Sequence, residues 1–186
     1  MIDPHPPPEL LRSGHTAFRS GQHGDGWLEK GEVVRDPRRL DEVAAVQAAQ
    51  IGKRWPDATL TVGASQCGAV LAAFVARHLG WPVAFVNIGA DGGLTMHRMH
   101  LPAPGQRVVL VDDLISTGTD ARAAVRGLRA LGHEVLGLSV WTVRASAVLP
   151  DVPVSALWPA PSQSFDVGAC PLCAAGEPVR WVDVRE

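Results

Sequence analysis

The chain has 186 residues, of which 46% are hydrophobic and 19% are charged, so its length and composition predict a single globular domain over residues 1–186 with a sizeable core. The formal net charge is −2 and no basic tract stands out, which argues against a nucleic-acid partner. The longest apolar run, residues 69–76, is too short to span a bilayer, and Asp3 and several prolines stand where a leader would be apolar. Three cysteines are too few for a secreted disulfide framework. We therefore expect a cytoplasmic protein without a membrane partner.

The N-terminal third predicts an irregular lead-in, a hairpin and a helix. Residues 1–8 are rich in proline, which disfavours regular structure. The glycine-rich residues 18–30 are typical of turns or of a hairpin that covers the main sheet. Asp36-Pro37 marks a helix start, since Asp is a good N-cap and Pro fits the first turn, and apolar residues recur at helical spacing up to Ile51.

The remaining pattern alternates strands and helices. Strands are predicted at residues 59–62, 82–86, 107–111 and 134–143, with a further possible strand at 154–158. A tight turn at residues 63–68 leads into an apolar helix that stops at Gly80, and a second helix follows at 120–131. Residues 87–105 read as a long, mobile loop. This alternation predicts an α/β fold in which helices flank a central parallel sheet. In such sheets ligands bind at the edge where the carboxyl ends of the strands lie.

Residues 107–119 predict the main ligand site, because an apolar strand runs directly into two acids and a hydroxyl-rich glycine turn. Ser116, Thr117, Gly118 and Thr119 suit a phosphate, since the hydroxyls and the free N–H groups of the next helix are donors. Asp112 and Asp113 suit sugar hydroxyls or, through water, Mg²⁺. A plainer alternative is that the acids only cap the helix. The spacing does not match a Walker loop.

Four other segments offer weaker signals. The turn at 63–68, with Ser65, Gln66 and Cys67, either holds a second phosphate or is an ordinary strand-to-helix turn. Cys67 is not expected to be a nucleophile, because no base lies beside it in sequence. In the long loop, His97, Arg98 and His100 either close over the site as cations or are incidental, and the two histidines alone are a weak metal signal. Arg144 ends a strand and either binds a carboxylate or lies at the surface. Cys170-Pro-Leu-Cys173 has metal-ligand spacing but no second pair, which favours a structural turn.

The stretch at 107–119 resembles the 5-phosphoribosyl-1-pyrophosphate (PRPP) signature of type I phosphoribosyltransferases. The rest of the chain is similar to orotate phosphoribosyltransferases in particular. Residues 18–30 share Ser20, Gly21, His23, Leu28, Glu29 and Lys30 with the N-terminal hood of that family, Asp36-Pro37 falls where the family has Asp-Pro, and residues 170–178 resemble the Cys-Pro-Leu-Cys-x-x-Gly-x-Pro of one bacterial branch.

This resemblance implies a type I phosphoribosyltransferase fold, with a hood contributed by about residues 10–35 and by the C-terminal tail. It implies a cytoplasmic, Mg²⁺-dependent homodimer that transfers phosphoribose from PRPP to orotate, giving orotidine 5-phosphate and pyrophosphate in pyrimidine synthesis. By the same resemblance Asp112 and Asp113 hold the ribose hydroxyls, residues 116–119 hold the 5-phosphate, Lys30 lies near both substrates, and Arg144 contacts the base. Magnesium would be bound through PRPP and by Asp112 and Asp113.

Several departures leave alternatives open. The family's mobile loop carries Arg and Lys where this chain reads Asn-Ile-Gly-Ala-Asp-Gly-Gly-Leu from Asn87, and only His97 and Arg98 remain as a catalytic cation. The turn at 63–68 and Val143 beside Arg144 also differ from the family pattern, and Asp120 places a carboxylate beside the phosphate loop. The alternatives are a transferase for another base, or a PRPP- or nucleotide-binding protein with weak or no transferase activity.

Overall fold

A computed structural model describes residues 6–18, 20–160 and 162–181. In chain order the strands are β1 (Leu11–Ala17), β2 (His23–Leu28), β3 (Leu60–Ala64), β4 (Val83–Ile88), β5 (Leu94–Thr95), β6 (Arg107–Val111), β7 (Leu114–Ile115), β8 (Glu134–Val140), β9 (Thr142–Val143), β10 (Val154–Ala156), β11 (Ser164–Phe165) and β12 (Arg180–Trp181). The helices are α1 (Gly31–Val34), α2 (Pro37–Arg54), α3 (Ser65–Leu79), α4 (Thr119–Ala130) and α5 (Pro171–Ala174), with 3-10 turns at Pro8–Leu10, Arg98–His100 and Val167–Ala169.

A six-stranded sheet in the order β10-β8-β6-β3-β4-β5 forms the centre of the molecule. Its strands pair in parallel except β5, which runs antiparallel to β4. The strands β3 and β6 are apolar and almost wholly buried, as expected for strands covered on both faces. This confirms the predicted α/β fold with a mainly parallel sheet flanked by helices.

Helices α2 and α3 pack on one face of this sheet and α4 packs on the other. The side chain of Asp36 accepts a hydrogen bond from the N–H of Arg38 at 3.0 Å, and Pro37 occupies the first turn of α2, so the predicted helix start is confirmed. The helix α3 ends, as predicted, at Gly80, which adopts a left-handed conformation with φ of 69°. No helix among the described residues is long and apolar enough to cross a membrane.

A second sheet, in the order β11-β2-β1-β12, joins both ends of the chain. The hairpin of β1 and β2 is antiparallel, and the C-terminal strand β12 pairs in parallel with β1, opposite Thr16 and Ala17. We call this four-stranded sheet the hood. The sequence predicted turns or a hairpin within residues 18–30, whereas the structure pairs residues 11–17 with residues 23–28. Residues 1–5 of the predicted irregular lead-in lie outside the described residues. A 3-10 turn begins at Pro8.

Three predicted boundaries were wrong. The strand predicted at 134–143 breaks at Trp141, because the N–H groups of Trp141 and Thr142 both donate to the carbonyl of Asp113, at 3.0 and 3.3 Å, and β9 then pairs with β7 instead of the central sheet. The turn predicted at 63–68 is absent from the described chain, since β3 continues to Ala64 and α3 begins at Ser65. The segment 87–105 is not irregular throughout, because β4 extends to Ile88 and β5 folds back on it.

Candidate active site

The strand β6 delivers two acids to the carboxyl edge of the central sheet. The N–H of Asp112 donates to the carbonyl of Ser139 at 3.1 Å, and Asp112 Oδ1 accepts from the N–H of Asp113 at 2.9 Å. These contacts hold both acids at the switch from strand to loop, where parallel sheets bind ligands. The side chain of Asp113 is almost fully buried, so its charge requires a partner.

Lys30 is that partner and comes from the end of the hood, directly before α1. Its Nζ lies 3.1 Å from Oδ1 and 2.9 Å from Oδ2 of Asp113, with side-chain exposures of 41% for Lys30 and 4% for Asp113. Burial alone would lower the pKa of Lys30, but the charge and hydrogen bond of Asp113 outweigh it and raise this pKa above its ordinary value. The structure therefore joins two predicted site residues that are 83 positions apart in sequence.

Asp112 lies beside this pair and is half-buried. A Cβ on Gly68 would come within 2.8 Å of Asp112 Oδ1, so the first turn of α3 touches the carboxyl group. Burial first, and then the charge of Asp113, raises the pKa of Asp112 to about 8, although the Asp113 N–H and Lys30 oppose the shift. A pKa of about 8 means that Asp112 is largely protonated at neutral pH. A protonated carboxyl group can both donate to and accept from a sugar hydroxyl.

The start of α3 forms the adjacent wall. Ser65 adopts φ of 63°, which is uncommon for a residue with a side chain. Ser65 and Gln66 are exposed, whereas Cys67 is half-buried. Burial first, and then the neighbouring Asp113 carboxylate, raises the pKa of the Cys67 thiol despite the opposing charge of Lys30. The thiol is therefore protonated at neutral pH and is a poor nucleophile.

The loop from Ser116 to Thr119 is fixed by its neighbours on both sides. Gly118 has φ of 80°, and a Cβ there would overlap the carbonyl oxygen of Val148. The N–H of Val148 donates to the carbonyl of Thr117 at 3.1 Å, and the Thr117 hydroxyl bonds to the Thr119 hydroxyl at 3.2 Å. A small cavity lies beside the loop, lined by residues 114–121 and by side chains from β3, β6, β8 and α4. Free helical N–H groups and hydroxyls make this a preformed anion site.

Arg122 completes this loop and was missed in the sequence analysis. Its Nη1 donates to the carbonyls of Thr117, at 3.3 Å, and Val148, and its Nη2 lies 3.4 Å from Thr119 Oγ1. A guanidinium at this position adds positive charge beside an anion site. The available signal was its spacing, because a residue three positions after Thr119 lies on the same face of the helix.

Arg144 connects the end of β9 to the hood. Its N–H donates to the carbonyl of Ile115 at 2.9 Å, and its guanidinium carbon lies 3.6 Å from the centroid of the Phe18 ring. Burial lowers the pKa of Arg144 below its ordinary value, but an arginine remains charged at neutral pH. The hood therefore orients Arg144 by a cation–π contact and Lys30 reaches Asp113 from the same sheet.

Arg98 does not join these groups. It lies with His97 and His100 on an exposed 3-10 turn, and its side chain makes no hydrogen bond or ion pair with any described residue. The ring of His100 instead packs on Phe85 at a centroid distance of 5.3 Å. His97 and His100 lie 6.0 Å apart by ring centroids, and no third metal-ligating side chain among the described residues joins them.

Comparison with known proteins identifies the family of this chain. Residues 32–153 match the family described as phosphoribosyl transferase domain. A protein of Acidithiobacillus ferrooxidans named orotate phosphoribosyltransferase is 31% identical over 89% of this chain and 86% of its own length. A protein of Thermus thermophilus with the same name is 28% identical over 92% and 93%.

Solved structures share the fold. Orotate phosphoribosyltransferase from Aeropyrum pernix superposes with a TM-score of 0.67 at 21% identity, covering 81% of this chain and 88% of that chain. Adenine phosphoribosyltransferase from Rhodothermus marinus gives 0.63 at 23% identity, covering 81% and 94%. The fold alone thus spans transferases named for different bases, whereas the sequence relatives are more specific. The chain belongs to the phosphoribosyltransferase family, and its sequence relatives place it with the orotate phosphoribosyltransferases.

Proposed function

We propose that this protein transfers phosphoribose from PRPP to orotate, giving orotidine 5-phosphate and pyrophosphate. The observation that carries the proposal is the cluster of Lys30, Asp112 and Asp113 beside a preformed anion loop. Such a cluster suits a sugar diol whose phosphate lies a few ångströms away. The names of the sequence relatives support orotate as the base.

In the proposed reaction the bond between the anomeric carbon and pyrophosphate breaks, and pyrophosphate leaves with the bonding electron pair. A ring nitrogen of orotate bonds to the same carbon and its proton is released. Asp112 and Asp113 hold the ribose hydroxyls and place negative charge near the sugar, where positive charge develops. This electrostatic contribution needs no covalent nucleophile, which fits a protonated Cys67.

The charged ends of the substrates meet the remaining groups. Residues 116–119 and Arg122 bind the 5-phosphate through hydroxyls, N–H groups and a guanidinium. The first turn of α3, with the exposed Ser65 and Gln66 and the half-buried Cys67, offers N–H groups to the pyrophosphate. Arg144 is oriented by Phe18 to bind the orotate carboxylate, and Lys30 pairs with Asp113 and lies near both substrates.

The acid pair fits Mg²⁺ that arrives with the substrate better than a resident ion. Asp113 is already paired with Lys30, and the pKa of Asp112 is raised to about 8, so neither is a free carboxylate ligand. Mg²⁺ is commonly held by one or two carboxylates and by substrate phosphates. Bound in this way, it would neutralise charge on the departing pyrophosphate, with Asp112 and Asp113 as its neighbours through water.

We further propose a cytoplasmic homodimer in which segment 87–105 completes the site of the partner. Arg98 is exposed and has no hydrogen bond or ion pair with the residues that the structure describes, which supports a function at another site. Met99 and Leu101 beside it are 76% and 55% exposed, as expected of a segment that is covered in an assembly. The sequence argument for the cytoplasm is the small number of cysteines.

The test is product formation from PRPP and Mg²⁺ with a panel of orotate, uracil, adenine and hypoxanthine, resolved by chromatography. We expect orotidine 5-phosphate from orotate and at least a hundredfold less product from each other base. The other bases have no carboxylate, so they leave the arginine unpaired and lose about 3 kcal/mol of binding free energy. Turnover with another base but not with orotate would refute the base assignment. No turnover with any base would refute the enzymatic function.

A second candidate is a PRPP-binding protein with weak or no transferase activity. The observation in its favour is that residues 89–95 contain no cation and are held against the body of the protein. The N–H of Gly89 donates to the carbonyl of Gly93 at 2.8 Å, and Leu94 packs so closely on α4 that a Cβ on Gly127 would overlap it. Measurable PRPP binding by calorimetry with no product in the same panel would favour this function.

A further inference from the structure

Two histidines of the hood and two cysteines of the C-terminal tail meet at one point, away from the residues that we assign to PRPP. His15 lies on β1, His23 begins β2, and Cys170 and Cys173 flank the first turn of α5. The nearest nitrogen or sulfur atoms of all four side chains lie within 4.8 Å of one another. His15 and Cys170 are buried, and all three cysteines of the chain are free thiols.

The distances resemble those of a tetrahedral ligand set. Nε2 of His15 lies 2.8 Å from Nδ1 of His23 and 3.5 Å from each of the two sulfurs. Cys173 Sγ lies 3.2 Å from His23 Nδ1. In a tetrahedral zinc site, with Zn–S about 2.3 Å and Zn–N about 2.0–2.1 Å, ligand atoms lie about 3.3–3.8 Å apart. The named contacts lie within about 0.5 Å of these values, and the widest separation in the set, up to 4.8 Å, must shorten by about 1 Å before all four side chains bind one ion.

The protonation of His15 also suits a metal ligand. Its Nδ1 lies 2.8 Å from the carbonyl oxygen of Glu177. Because a carbonyl only accepts, Nδ1 carries a proton, and Nε2 is the ring nitrogen that faces the other three side chains. Metal-binding histidines almost always donate their second N–H in this way, which fixes the tautomer and the ring orientation.

The backbone around the cysteines holds this arrangement. Cys170 is the residue before α5, and its carbonyl accepts from the N–H of Ala174 at 3.1 Å. Gly176 then turns the chain with φ of 70°, and the N–H of Glu177 donates to the carbonyl of Leu172 at 3.0 Å. This turn brings the Glu177 carbonyl to His15. The isolated Cys-Pro-Leu-Cys motif, for which a structural turn was the favoured interpretation, thus acquires its second ligand pair from the opposite end of the chain.

We propose that His15, His23, Cys170 and Cys173 bind one Zn²⁺ that fastens the C-terminal tail to the hood. Two thiolates and two imidazoles in a closed tetrahedral set favour zinc over hard cations, and four protein ligands without an open position indicate a structural site. Zinc binding requires both thiols to lose their protons, so two protons are released and the net charge of the loaded site is zero.

The site lies close in the chain to the groups that reach the substrates. Phe18, which packs on Arg144, follows β1, and Lys30, which pairs with Asp113, follows β2. Zinc would therefore stabilise the sheet that carries both contacts. Loss of the ion is expected to loosen the hood and lower the melting temperature.

The first experiment measures metal in the purified full-length protein by mass spectrometry under reducing conditions. We expect about one zinc per chain, its loss in Cys170→Ser and His15→Gln, and its retention in the matched controls Cys67→Ser and His97→Gln. Equal zinc content in Cys170→Ser and Cys67→Ser would overturn the proposal, since it would place the metal elsewhere.

A second experiment does not depend on the variants folding. The wild-type protein is stripped with a chelator in the presence of reductant and titrated with Co²⁺ alone. Thiolate-to-cobalt charge transfer and intense tetrahedral visible bands, displaced by Zn²⁺, are the expected result, together with a rise in melting temperature. A protein that gives neither band, because the four side chains only hydrogen-bond to one another or because Cys170 and Cys173 form a disulfide, would refute the site.

Discussion

The pairing of Lys30 with Asp113 predicts a large, measurable coupling between the hood and the central sheet. Replacing Lys30 by Met keeps the length of the side chain but removes the charge, and leaves Asp113, with 4% of its side chain exposed, without its cation. Two opposite charges about 3 Å apart attract by about 5 kcal/mol at an effective dielectric constant of about 20. Water at Lys30, which is 41% exposed, screens much of this attraction.

The net loss lies between two known limits. Breaking a fully buried pair destabilises by about 3–5 kcal/mol, whereas a surface pair contributes about 0–1 kcal/mol. For a half-exposed lysine and a buried acid we expect Lys30→Met to lower the free energy of unfolding by about 2 kcal/mol. In an Asp113→Asn background the same change should lower it much less, because no buried charge is then left unpaired.

The assay is a double-mutant cycle in urea at neutral pH, with Lys53→Met as a control at an exposed lysine in the last turn of α2. The expected coupling energy is about 1–2 kcal/mol, and the control should change stability by less than about 0.5 kcal/mol. If Lys30→Met lowers the free energy of unfolding equally in both backgrounds, within about 0.4 kcal/mol, the two charges are not coupled and the reasoning is refuted.

Three further predictions concern the acid pair and the phosphate loop. The pKa of Asp112 in the folded state, about 8, is above its ordinary value of 3.8, so its contribution to stability is fully present below the lower value and is lost as pH rises through the upper one. Asp112→Asn should therefore flatten the decline of urea stability between about pH 4 and about pH 8, and an unchanged slope would contradict the shift. Gly118→Ala should raise the KM for PRPP more than tenfold, because strain of about 1–2 kcal/mol adds to a backbone clash. Gly105 has the same φ of 80° but open space around it. Gly105→Ala should therefore lower the free energy of unfolding and leave the KM for PRPP unchanged. Arg122→Gln should raise the KM for PRPP about tenfold with little change in kcat, whereas Arg129→Gln, which loses only an exposed pair on the same helix, should leave it unchanged.

Local sequence determined the parts of this protein that depend on neighbouring residues. The apolar strand at 107–111 and the glycine turn that follows it specify a buried strand and an anion loop, because both depend on periodicity and on backbone freedom within a few residues. Asp36-Pro37 and Gly80 set helix ends for the same reason. The resemblance of residues 107–119 to a known signature also predicted the fold and the family.

Only the tertiary structure decided which distant groups meet. Lys30 and Asp113, 83 positions apart, form an ion pair, and the break at Trp141 arises because two N–H groups find the carbonyl of Asp113 rather than the next strand. The metal-ligating spacing of Cys170 and Cys173 was visible in the sequence, but its completion by His15 and His23 required β12 to return beside β1. Charge partners and metal ligands act through space over a few ångströms, so their pairing is fixed by the packing of the sheets and not by any pattern along the chain.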